Sequence, residues 1–139
     1  MDFSSINWLA VIAAVLASMV IGSIWFGPKA FYPAWLKALA QIDKNDPNDQ
    51  NMGPVIRIFA FVILASLIQA IFMAMVVNAL GSTTLVSGAL TGFLLWLGFI
   101  APASLTNKLF ADRVKAWYYE VGNHLITFVV MGAILGAWH

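Results

Sequence analysis

Long unbroken apolar runs separated by short polar connectors dominate the chain. Four runs stand out, at about 6–26, 55–80, 85–105 and 117–138. Each holds about 20 residues or more, and a helix of that length rises roughly 30 Å, the thickness of a bilayer's hydrocarbon core. Lipid offers no partner for backbone N–H and C=O groups, so segments of this kind must be helical. A β-barrel would need alternating segments of about ten residues, and none is present. The pattern predicts an all-α integral membrane four-helix bundle, a single transmembrane domain over residues 1–139.

The first run is read as a retained helix rather than a signal peptide. Its start carries Asp2 and no cation, its apolar stretch is too long, and no A-x-A site follows. In the first connector Pro33 suits the opening of a short helix. Trp35, Leu36, Leu39 and Ile42 would share one face, opposite Lys37 and Gln41, which predicts an interfacial helix. The polar run 43–51 is read as a solvated loop, because it lacks the glycine and terminal glutamate of a calcium-binding loop.

Composition narrows the class. Of 139 residues, 62% are hydrophobic and 9% charged, and the mean hydropathy is +0.88. Soluble domains carry about 25% charged residues. With a net charge of +1 and no basic stripe, nucleic acid is not an expected partner. There are no cysteines and two histidines, so no structural metal site and no cofactor are expected. The cations Lys29, Lys37, Lys44, Arg57, Lys108, Arg113 and Lys115 all lie in or beside the first and third connectors. The positive-inside rule then puts those connectors in the cytoplasm and both termini outside. Trp25, Phe26, Phe31, Tyr32, Trp35, Trp117, Tyr118 and Tyr119 would form the aromatic belt on that side, with Trp8 and Trp138 on the other.

Small residues recur at four-residue spacing in every run: Ala10, Ala14, Ser18 and Gly22; Ser66, Ala70 and Ala74, extended by Asn78; Gly88 and Gly92; Gly132 and Gly136. Such ladders let helix backbones approach closely in lipid. They serve equally within one protomer or against a second copy, and a homo-oligomer is expected from the prevalence of symmetric assemblies.

Several motifs together resemble one family. They are Asn7-Trp8, Trp25-Phe26-Gly27-Pro28, Trp96-Leu97-Gly98-Phe99-Ile100-Ala101-Pro102 and Met131-Gly132-Ala133-Ile134-Leu135-Gly136-Ala137-Trp138. The resemblance is to the small bacterial membrane proteins of domain of unknown function 1761. It implies a four-helix protein of the inner (cytoplasmic) membrane and brings no activity, ligand or catalytic residue. The family's fourth helix is similar to an Asn-x-Gly-Tyr-His opening, which Gly122 and His124 fit and from which Glu120 and Asn123 depart.

Ionisable groups inside a span are costly and are functional candidates by default. Arg57 and Glu120 fall at one depth, where they would pair or reach the headgroups separately. His124 lies one turn beyond Glu120, about 10 Å into the core, and Thr127 continues that face. Asn123, Gln69, Trp96 and Ser18 or Ser23 are candidates to line the same interior. Pro102 removes one backbone hydrogen bond and is expected to free a carbonyl near Phe99.

Protease, hydrolase-elbow and phosphate-loop motifs are absent, so no enzyme is expected. The first functional reading is a non-catalytic packing, assembly, lipid-binding or partner-binding protein. The rival is a small proton-coupled transporter or channel acting as an oligomer, with Glu120 and His124 titrating.

Overall fold

Helix α1 (Trp8–Trp25) begins where Asn7 turns its side-chain oxygen back onto the N–H groups of Leu9 and Ala10, at 3.1 and 3.2 Å. That cap satisfies two of the donors a helix start leaves open. The computed structural model describes residues 3–38 and 53–139, and side chains in the second stretch from residue 56. A 3₁₀ turn (Phe3–Ser5) precedes α1. After it come α2 (Tyr32–Ala38), α3 (Gly53–Ala79), α4 (Leu85–Leu95), a π-helical turn (Trp96–Ile100), α5 (Ala101–Phe110) and α6 (Val114–Ala137). No strand occurs among the described residues. Four helical stretches are long and apolar enough to cross a membrane: Trp8–Trp25, Ile56–Ala79, Leu85–Phe110 and Val114–Ala137.

The third stretch is longer than its hydropathy suggests, reaching Phe110 rather than Leu105, and the fourth starts at Val114 rather than Trp117. Hydropathy marks what lipid can solvate, whereas a helix ends where its backbone bonds end. Here the stop is a turn in which Arg113 N–H reaches Lys108 C=O at 2.8 Å, with Asp112 at φ 53°. The opposite hairpin uses the same device, Ser82 N–H to Val77 C=O at 2.9 Å around Gly81 at φ 63°. Both are left-handed helix terminations of the Schellman type.

Pro102 does not break the third stretch. The helix widens into the π turn, and Ala101 N–H bonds to Trp96 C=O. The proline, lacking an N–H, is absorbed at the start of α5. The expected short helix is present as α2, opening at Tyr32 with Pro33 at its second position. Leu39, Ile42 and the polar run 43–51 lie outside the described residues.

Helix α6 is central and touches every other helix, with its most extensive contact on α4. The apolar core joins Ala10, Val11 and Ala14 of α1, Ala70, Met73 and Val77 of α3, and Phe128, Met131 and Leu135 of α6. It occupies the half of the bundle nearer the termini. Large side chains such as Ile24, Phe61 and Val86 point outward at 69%, 71% and 74% exposure, as lipid contact requires.

The small-residue ladders face inward. Ala10, Ala14 and Ser18, and Ser66, Ala70 and Ala74, are all buried within the chain. Gly88 and Gly92 of α4 mesh with Gly132 and Gly136 of α6 at backbone contact: a Cβ on Gly88 would lie 2.8 Å from Gly136 Cα, and one on Gly92 2.8 Å from Phe128 C. Gly22 is the exception to the expectation, since nothing lies within 4 Å of the place its Cβ would take. It occupies the ladder's register near the end of α1, beyond the tight contact.

Candidate functional site

The chemistry gathers at the end of the bundle that carries the connectors, around the first two turns of α6. Tyr119 and Val121 each offer a backbone carbonyl there. Such an oxygen has a second lone pair beyond the one the helix uses. Trp25 Nε1 of α1 donates to Tyr119 C=O at 2.9 Å, and Trp96 Nε1 of the π turn donates to Val121 C=O at 3.1 Å. Gly122 makes the first of these possible, because a Cβ there would stand 2.9 Å from Trp25 Cζ2. Two indoles from different helical segments thus clamp α6 at carbonyls two residues apart. Trp25→Phe keeps an aromatic side chain but deletes the donor and part of the ring's packing, and is expected to lower stability by about 1 kcal/mol or more, measured by thermal unfolding in detergent.

Glu120 is the hub of the site. Its Oε1 accepts from Lys108 Nζ at 2.8 Å and from Trp35 Nε1 at 2.9 Å. The carboxylate therefore ties α6 to α5 and α2. Glu120 and Lys108 side chains are 19% and 23% exposed, so the pair is only partly desolvated. Close by, Trp117 Nε1 donates to Ser104 Oγ at 2.9 Å. Phe31 sits tilted between Trp25 (centroids 4.6 Å apart) and Tyr119 (5.7 Å), and Phe26 meets Trp35 edge-on at 5.4 Å.

Among the described residues none of the remaining candidates hydrogen-bonds to Glu120. Its cation is Lys108, not Arg57, which is exposed on the first turns of α3. His124 is partly buried one turn along α6, and Thr127 is buried one turn further. Among the described residues no hydrogen bond links His124, Thr127, Asn123 or Gln69 to one another. Among the described residues, buried Asn123 Nδ2 meets no partner, nor does Arg113 Nη1. Gln69 instead lines an apolar cleft of about 200 Å³ between α3, the π turn and α6, with Phe72, Phe99, Ile100 and Phe128. Ser18 and Ser23 bond back to their own helix, at Val15 and Met19 C=O, both at 2.7 Å.

Sequence reasoning did not single out Lys108, nor the indoles of Trp25, Trp35 and Trp117 as donors. One signal for Lys108 was available. The third connector is short, so the chain folds back as a hairpin, and a cation just before it faces a carboxylate shortly after it.

A family model described as "Protein of unknown function (DUF1761)" matches residues 9–136, nearly the whole chain. No curated protein matches, and no solved structure matches.

Proposed function

The chain belongs to the DUF1761 family, and we propose that it is a non-catalytic protein of the inner (cytoplasmic) membrane whose connector end is a binding face for lipid or a protein partner. Both termini lie outside, following the cations of the connectors. A homo-oligomer fits this reading through the outward apolar faces, since the small-residue ladders are already buried within the chain.

The observation that carries the proposal is the state of Glu120. A proton carrier needs a carboxylate free to gain and lose its proton at mid-depth. Glu120 is instead held by Lys108 and Trp35 near the helix start, an arrangement suited to fixing α2 and α5 onto α6. The partly buried His124 continues no hydrogen-bonded path from it among the described residues.

Reconstitution into proteoliposomes tests this. Glu120→Gln and His124→Ala are expected to shift thermal stability or assembly size and to leave proton and solute flux at the level of protein-free vesicles, as in the unaltered protein. A proton-driven flux by the unaltered protein that either substitution abolishes, with the fold intact by circular dichroism, overturns the proposal in favour of a carrier.

A further inference from the structure

An open groove of about 760 Å³ runs along the connector end, between the last turn of α1, the segment leading into α2, and the first turns of α6. Its volume falls within the range of small-molecule sites, roughly 300–1,000 Å³. The lining is of two kinds. Trp25, Phe31, Tyr118 and Tyr119 supply aromatic surface, with Gly122 beneath the Trp25 indole. Lys37 from α2 and Lys115 from α6 supply two cations.

The charge is one-sided. Among the described residues no carboxylate lines the groove, and Glu120, the nearest along α6, is turned to Lys108 and Trp35. Lys37 and Lys115 are exposed, and no ion pair engages either of them among the described residues. Two lysines therefore share an aromatic-lined groove with no counter-ion among the described residues. A second property is depth. The groove opens beside the start of a stretch long and apolar enough to cross a membrane, and Tyr118 and Phe31 are 65% and 41% exposed. Aromatic rings of this kind sit at headgroup level, where lysines meet lipid phosphates.

We propose that this groove binds the headgroup of an anionic phospholipid, with the phosphate between Lys37 and Lys115 and the glycerol and upper acyl chains against Phe31, Tyr118 and Trp25. The inference rests on the reading of the connector end as a lipid- or partner-binding face, and it names the occupant. A lipid fits better than a free anion because the aromatic floor offers apolar surface to a chain and few donors to an isolated phosphate. Lys108 takes no part, being committed to Glu120.

Native mass spectrometry of the full chain released from mixed micelles tests this, comparing phosphatidylglycerol with phosphatidylcholine. The unaltered protein is expected to retain phosphatidylglycerol in preference. Lys37→Gln with Lys115→Gln is expected to cut that preference roughly tenfold or more, the size set by about 1 kcal/mol for each lysine near an anionic headgroup. Lys29→Gln, a cation outside the groove lining, keeps the preference, and millimolar inorganic phosphate leaves it unchanged. Equal retention of both lipids, an unaltered preference in the double variant, or its loss in Lys29→Gln overturns the proposal. Competition by inorganic phosphate overturns it too, in favour of a free-anion site. An unaltered thermal midpoint in the double variant separates loss of binding from loss of fold. Solute flux, which would sink the proposed function, is read in a separate assay and does not move the lipid ratio.

Discussion

Gly132→Val is expected to prise α4 from α6 and lower stability by about 3 kcal/mol or more, above the usual range for an overpacked site. A Cβ at residue 132 would stand 3.0 Å from both Gly88 C and Gly92 N, with the Gly88 carbonyl oxygen closer still. These are backbone atoms, so no rotamer change relieves the clash. The two helices must separate, and separation undoes the contacts of Gly88, Gly92 and Gly136 together. In lipid nothing drives the helices back, because acyl chains solvate apolar side chains as well as a neighbouring helix does. Close van der Waals contact between backbones is itself the stabilising term. Gly22→Val is the matched control. It belongs to the same kind of ladder but has open space around its Cβ position, and it is expected to change stability little. Thermal unfolding in detergent would show the contrast, and equal losses for the two variants would refute the account of the glycine seam.

Breaking the Glu120–Lys108 pair is expected to be the second-largest effect. Removing one partner of a fully buried pair costs about 3–5 kcal/mol, and an exposed pair contributes about 0–1. With the two side chains about one-fifth exposed, 19% and 23%, Lys108→Met is expected to fall between, at about 1–2 kcal/mol. Trp35→Phe removes the second donor to the same oxygen and costs about 1 kcal/mol. Combining Lys108→Met with Glu120→Gln should cost less than the sum of the single changes, because each removes the same interaction. Strict additivity in this cycle would mean that the pair couples nothing. The same substitutions at Arg57 are expected to be near neutral, since that side chain is exposed.

Much of the architecture is legible in the residues alone. The span count follows from run lengths, and the aromatic belt from the clustering of Trp25, Phe31, Trp35 and Tyr119, which the structure gathers at one end. The ladders are visible as spacing, yet spacing carries no information on what a ladder faces. Of the candidate polar residues, Glu120 meets Lys108 and Trp35, and the Trp96 indole meets Val121 C=O of α6, while Arg57, one of the two alternatives weighed for Glu120, is not its partner. Arg57 and Lys108 both sit at the connector end. Depth in a membrane can be read along one helix, but rotation about its axis relative to a neighbour cannot.

The sequence by itself determined that this chain forms four long apolar helices joined by cationic and aromatic connectors. The reason is local: a backbone without water must bond to itself, and only a run of about 20 apolar residues makes that affordable in lipid. Tertiary structure alone decided that α6 lies at the centre, that Gly88, Gly92, Gly132 and Gly136 close one seam inside the chain, and that Lys108 holds Glu120. Those outcomes depend on which helices become neighbours and which faces they turn, quantities set by shape complementarity between segments far apart in the chain.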